Sequence, residues 1–155
     1  MSIPRKDYLF VGMQFALFLT YLLPIEFFSF SFPSTLKWLG LITLSIGILT
    51  GIIAVLQLNT TLSPFPTPLQ QGKLIQSGVY IFVRHPIYFA IFCSTFGYGL
   101  FQGSSYKLFV SLALLVLFHF KSTYEEQLLC KKYSEYAAYQ KKVGKLFPKL
   151  YLPNF

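Results

Sequence analysis

Charge is what this chain has least of. Only 12% of its 155 residues are charged, about half the ~25% usual in soluble domains. Acidic groups are the scarcest, 5 against 13 Lys and Arg, while 54% of the chain is hydrophobic, with 18 Phe and 11 Tyr. That balance excludes an ordinary water-soluble domain and points to a bilayer. Two cysteines, Cys93 and Cys130, cannot make a disulfide framework, and each reads as a small apolar filler. No metal site is expected. Mid-span positions offer almost no ionisable group apart from Glu26. That argues against a proton relay, which needs such groups through the membrane. No part of the chain is long enough for a second domain, so residues 1–155 read as one membrane domain.

What is present is a series of apolar runs. A bilayer span needs ~20 mostly apolar residues. Candidates lie at about 8–28, 36–58, 80–101 and 106–121, the first interrupted near its end by Pro24 and Glu26. Met1 to Tyr8 places basic residues before an apolar run, as a signal peptide does. That run is too long, ends in no small-residue cleavage site and is followed by further spans, so it reads as a retained first helix. The short Gln102-Gly103-Ser104-Ser105 link predicts an antiparallel hairpin of the third and fourth spans. Residues 59–79, rich in Pro, Gly, Thr and Gln, form a loop of a length that is usually functional or disordered. Gly47-xxx-Gly51 and Gly99-xxx-Gly103 predict close helix packing.

Four spans put both termini and the loop at 59–79 on one side. Arg5, Lys6, Lys73, Arg84, Lys121, Lys131, Lys132, Lys141, Lys142, Lys145 and Lys149 fall there, against Lys37 and Lys107 opposite. The positive-inside rule makes both termini cytoplasmic. The net charge of +8 is then explained by anionic headgroups, and no nucleic-acid partner is needed. Beyond the fourth span, about 124–142 reads as an amphipathic helix with Leu129, Tyr133 and Tyr136 on one face, ended by Gly144 and Pro148. It either lies in the interface or folds back as a lid over the cytoplasmic mouth. The predicted fold is all-α, an integral membrane protein of four transmembrane helices, with that hairpin and a cytoplasmic amphipathic C-terminal helix.

Ionisable residues gather at that mouth. Proline suits the first helical turn and pushes its predecessor out of helical geometry, so regular helix is predicted to begin at Pro86, with Arg84 and His85 on the turn before it. The unpaired N–H groups of such a first turn favour anions. Tyr88 follows His85 by three residues, and Gly78 supplies a flexible turn before Tyr80. His119, Lys121, Glu125 and Glu126 stand at the cytoplasmic end of the fourth span, where the hairpin brings them opposite. Singly, each has a simpler reading: Arg84 snorkelling, Tyr80 and Tyr88 as interfacial aromatics, Glu126 as a solvated residue beside Lys121. At facing ends of one hairpin, they predict a pocket.

The segments LIQSGVYIFVRHPIYFA (74–90) and YEEQLLCKKYSEYAAYQKKVGKLFP (124–148) resemble the isoprenylcysteine carboxyl methyltransferase and phospholipid methyltransferase group of integral membrane enzymes. Ser63-Pro64-Phe65-Pro66-Thr67-Pro68 is also similar to bacterial members, so the likeness runs from about residue 59 onward. It implies an S-adenosylmethionine-dependent methyltransferase of the inner, cytoplasmic membrane, its donor enclosed by the loop 59–79 and the C-terminal helix. By position, Leu74, Ile75, Tyr80, His85, Pro86, Ile87, Tyr88 and Glu125 would contact the donor, and Lys121, Glu125 and Arg84 would serve catalysis. Lys121 stands where the group usually has an Arg, with His119 nearby, and these two would bind the acceptor. A lysine cannot give the bidentate grip of an arginine. The implied partners are membrane lipids and a lipophilic or prenylated acceptor, methylated on a carboxylate or, alternatively, on a phospholipid amine. A nicotinamide-dependent sterol reductase and a small non-enzymatic membrane subunit are the other readings.

Overall fold

The computed structural model describes residues 3–25, 32–59 and 62–149. Its order is α1 (Arg5–Leu22), α2 (Ser34–Leu58), a short 3-10 turn (Gly78–Ile81), α3 (Pro86–Gln102), α4 (Ser105–Lys132) and α5 (Tyr136–Lys142). Among the described residues there is no strand. A single bridge joins Val83 to Gly144.

Local chemistry sets the helix ends. Pro4 and Pro33 stand in extended geometry just before α1 and α2, and Pro86 opens α3 with His85 in non-helical geometry, as a proline-started helix requires. Gly103 (φ 68) ends α3 in the left-handed region, its N–H bonded to the Gly99 and Leu100 carbonyls. The Ser104 hydroxyl then accepts from the Lys107 amide to cap α4. The hairpin of α3 and α4 thus turns where its short link predicts.

α2 and α3 form the tightest seam. A Cβ on Gly40 would lie 2.7 Å from the Gly97 carbonyl oxygen, one on Gly47 2.5 Å from Ser94 Oγ, and one on Gly97 2.5 Å from the Leu44 amide. Only hydrogen fits there, so the backbones meet directly. Gly47 serves the packing role expected of it, whereas Gly40 and Gly97 belong to no spacing singled out in the sequence and Gly103 acts as a cap. α4 packs on α3 and α1 through Leu114 and Phe118, joined by Leu146 from the C-terminal segment, with Leu17, Phe18, Tyr88 and Ile91 around them. Elsewhere the surface is apolar: Leu9, Phe15 and Leu19 on α1, Trp38, Ile42, Leu49 and Leu56 on α2, and Phe109, Val116 and Phe120 on α4 are exposed. So much exposed large apolar surface suits lipid, not water. α2 (25 residues) and α4 (28 residues) are long and apolar enough to cross a membrane.

Regular helix in the third apolar run waits for Pro86, as its geometry predicts, after a 3-10 turn at Gly78–Ile81. Two other boundaries differ from expectation. The break between a fourth span at 121 and a lid helix at 124–142 does not exist, since α4 runs unbroken to Lys132. Composition turns from apolar to charged near Lys121, but no Gly or Pro lies between Leu108 and Lys132 to stop the backbone. The chain leaves helix at Tyr133, in extended geometry, where its hydroxyl donates to the Gly72 carbonyl at 2.5 Å; only the seven-residue α5 follows. α1 ends at Leu22, and Glu26, with the rest of the first run, lies outside the described residues.

Candidate active site

An adjacent Arg and His meet two adjacent carboxylates. The Arg84-His85 pair precedes α3, and the Glu125-Glu126 pair lies on α4, about 100° apart around the helix. Arg84 Nε donates to Glu126 Oε1 at 2.7 Å, with both side chains under 10% exposed. Arg84 Nη1 reaches the carbonyls of Gln140 (3.0 Å) and Val143. Glu126 also accepts from Gln140 Nε2 at 3.0 Å and faces His85 Nε2 at 3.3 Å. Glu126 is therefore not a solvated residue beside Lys121. It is a buried anion with several donors, and burial without them would be prohibitive. Arg84 does not reach out to headgroups. It ties α5 to the start of α3, and the Arg84 and His85 amides donate to the Gly144 and Lys145 carbonyls (2.8 and 3.1 Å).

Glu125 takes the other side of the helix and is held differently. Tyr88 Oη donates to its Oε2 at 2.9 Å, and His85 Nδ1 lies 3.7 Å from the same oxygen. Tyr88 stacks with His85 (5.4 Å) and with Phe118 (4.7 Å), all three rings nearly parallel. This ladder leaves Glu125 partly open, with 24% side-chain exposure, at the boundary of two cavities.

The first cavity, about 130 Å³, is walled by Ser63, residues 65–69 and residues 72–75 of the long loop, by Tyr80, Arg84, His85 and Glu125, and by Leu129, Tyr133, Tyr136 and Tyr139. Gly78 (φ +61) makes its turn possible, and the Val79 amide donates to Gln57 Oε1 of α2 at 3.1 Å. The aromatic wall is rigid: Tyr139 Oη donates to the Tyr80 carbonyl at 2.6 Å. Burial pushes the Tyr139 hydroxyl up to about 12 and Tyr136 higher still, so both stay protonated donors near neutrality. The second cavity, about 350 Å³, shares Leu58, Ser63, Tyr80, Arg84, His85 and Glu125 with the first. It adds Gln14, Val55, Leu62, Pro64, Pro86, Ile87, Tyr88, Ile91 and Lys121. Val55 and Ile91 also line an apolar groove of about 490 Å³ between α2 and α3, walled by Gly47, Gly51, Ile52 and Ala90.

Of the residues expected in the site, Leu74, Ile75, Tyr80, His85 and Glu125 meet at the first cavity, and Pro86, Ile87, Tyr88 and Lys121 line the second. Lys121 is 1% exposed, its Nζ bonded to Gln14 Oε1 (2.7 Å) and the Pro64 carbonyl (2.9 Å) and 5.3 Å from the Tyr88 ring centroid. His119 is not brought in. It lies two residues, or about 200°, away from Lys121 on α4, is exposed, packs against Phe120 and lines neither cavity. Sequence reading missed Gln14, Gln140 and the buried role of Glu126. An amide inside an apolar helix was the available signal for Gln14, since such a group needs a partner. Cys93 is a buried filler as expected, but Cys130 is exposed.

The first cavity thus sets tyrosine rings beside the Glu125 carboxylate, and its larger neighbour is lined mostly by apolar side chains. Residues 35–136 match the family described as phospholipid methyltransferase. No curated protein matches the chain by sequence. Among solved structures, the eukaryotic intramembrane Ras methyltransferase ICMT (isoprenylcysteine carboxyl methyltransferase) is similar in fold, with a TM-score of 0.68 at 20% identity. The match covers 96% of this chain and 54% of that one, so the chain spans about half the length of the structure it resembles.

Proposed function

Because the chain belongs to the phospholipid methyltransferase family, we propose that it is an S-adenosylmethionine-dependent methyltransferase acting on the carboxylate of a lipophilic acceptor at the cytoplasmic face of the membrane. The observation that carries this reading is the pair of cavities meeting at Glu125, one walled by the loop and tyrosines, the other more apolar and sharing Val55 and Ile91 with a groove between helices. A two-substrate transfer needs that arrangement. In this reading the chain has four spans with both termini cytoplasmic, the loop-walled chamber faces the cytoplasm and the groove faces lipid.

When bound, the donor supplies a methyl group on a sulfonium. That methyl would pass to the acceptor oxygen, with the carbon–sulfur electron pair leaving on a neutral thioether. No proton moves if the acceptor is a carboxylate, so the residues are needed for placement. Glu125, oriented by Tyr88, takes the donor's ammonium or ribose hydroxyls. Leu74, Ile75 and Tyr80 enclose its purine end, and the tyrosine faces favour its positive charge. His85 supports the ladder that holds Tyr88. Arg84 acts through Glu126 by closing α5 over the chamber. Lys121, a buried ammonium with no carboxylate at ion-pair distance among the described residues, receives the acceptor's carboxylate. Holding the two reactants in line is worth about 7–11 kcal/mol, enough to carry much of the catalysis. Transfer to an amine of a phospholipid headgroup is the second reading. The matching family and the open Glu125 carboxylate favour it, and a proton would then have to leave through Glu125 or water.

Titration of the detergent-purified protein with S-adenosylmethionine tests the donor half. Saturable binding to wild type, abolished by Glu125→Gln and by His85→Ala with helicity retained, is the expected result. A folded wild type that takes up no donor ends the reading. Labelled donor with native lipid extract and mass spectrometry of the product then separates a methyl ester from a methylated amine.

A further inference from the structure

Lys121 is a point charge, and a carboxylate presents two oxygens. Gln14 is placed to complete the pair. An ammonium has three donors and no acceptor, so the Gln14 group 2.7 Å from it must be the amide oxygen. This fixes the side chain without ambiguity and turns the Gln14 NH2 away from Lys121. That NH2 bonds no described residue, while Gln14 lines the same cavity as Lys121 and Glu125. The ammonium meanwhile gives two of its protons to Gln14 and Pro64, which leaves one. Two unspent donors therefore sit on hydrogen-bonded side chains of α1 and α4 that line one cavity, with the Lys121 ammonium 5.3 Å from the Tyr88 ring centroid.

We infer that Gln14 and Lys121 together form a two-donor site for the acceptor's carboxylate, with Gln14 as a substrate-binding residue that supplies the second hydrogen bond. This rests on the carboxylate reading above and makes it specific. The Gln14 amide also holds Lys121 extended through its oxygen, so one side chain both aims the ammonium and doubles its donors. A bidentate anion gains geometry as well as charge from such a pair. A headgroup amine finds there two donors and no acceptor, and is disfavoured.

The test is binding of N-acetyl-S-farnesylcysteine and of its carboxamide to the full chain, measured with S-adenosylhomocysteine bound so that no turnover occurs. Wild type is expected to hold the acid at least tenfold tighter than the amide. Gln14→Leu removes one charge-assisted bond and weakens the acid about tenfold, with the carboxamide and the nucleoside unchanged. Gln14→Glu sets an anion beside Lys121 and weakens the acid about a hundredfold. In the Gln14→Leu background, Lys121→Arg restores the two-donor fork, returning the acid to within about threefold of wild type. An equal loss for acid and amide in Gln14→Leu, no acid preference in wild type, or failure of the arginine rescue overturns the inference while leaving the methyltransferase reading intact. Failure of wild type to bind the nucleoside overturns both.

Discussion

Glu126→Gln is the most demanding perturbation of this architecture, because it changes charge and almost nothing else. Glu126 accepts from Arg84 and Gln140, with His85 at 3.3 Å and the Tyr136 hydroxyl at 3.5 Å, in a site where the Arg84 side chain is 8% exposed. The amide keeps the shape but loses the anion, and its NH2 confronts the Gln140 NH2 or the guanidinium. Removing one partner of a buried pair costs about 3–5 kcal/mol. Arg84 keeps its bonds to the Gln140 and Val143 carbonyls, so the lower end, ~3 kcal/mol, is expected. That corresponds to roughly a hundredfold rise in the open population of the C-terminal segment. Hydrogen exchange of the Arg84 and His85 amides, which bond Gly144 and Lys145, reads this directly, and proteolysis near Lys141 and Lys142 reads it independently. Replacing both partners together, Arg84→Met with Glu126→Leu, leaves no orphaned charge and is expected to destabilise less than Glu126→Gln alone. Exchange in Glu126→Gln equal to wild type, or a double variant worse than either single one, refutes the clamp.

Two further perturbations test the path into the site. Gly51 borders the α2–α3 groove, and a Cβ on it would lie 3.3 Å from the Ala90 methyl; Gly51→Leu fills the groove and is expected to raise KM for long-chain acceptors at least tenfold while donor affinity and short-chain turnover hold, as a chain-length series of acids will show. Gly78 sits at φ +61, and a Cβ there would lie 1.6 Å from Gln57 Nε2; Gly78→Ala is expected to lose about 1–3 kcal/mol through strain alone, read as a fall in thermal midpoint, and paired Gly78→Ala/Gln57→Ala recovers only the steric part.

What could be read from the sequence was what the chain encodes locally. Pro86 fixes the start of α3 by its own geometry, and Gly103 and Ser104 fix the hairpin, so the facing of Arg84-His85 and Glu125 followed from two short motifs. The division of labour within each pair did not. Adjacent residues on α4 point about 100° apart, and which carboxylate meets Arg84 depends on where α5 and residues 143–145 return, a contact formed across 42 positions or more. His119 and Lys121 looked equivalent for the same reason, since only packing against α1 and α3 selects the Lys121 face. Gln14 stood out only as an amide in an apolar helix, and its partner could not be named because it lies 107 residues away. The lid boundary failed on a different ground: composition changes at Lys121, but helix propagation depends on backbone hydrogen bonds, which that change does not interrupt.

The continuity of α4 has a chemical consequence that a broken helix would lack. Lys121 and Glu125 are one turn apart on a single rigid rod, so the spacing of their attachment points is set by helix geometry, about 6 Å of rise, and not by a hinge. The Tyr88 ring bridges the two, bonded to Glu125 and beneath Lys121. A separate lid helix starting at residue 124 would let that spacing vary with each opening. In the unbroken helix only α5 and the segment behind it, held through Arg84 and Glu126, are separate from that rod, so on the proposed reading the first cavity would open there while the Lys121–Glu125 spacing stays fixed.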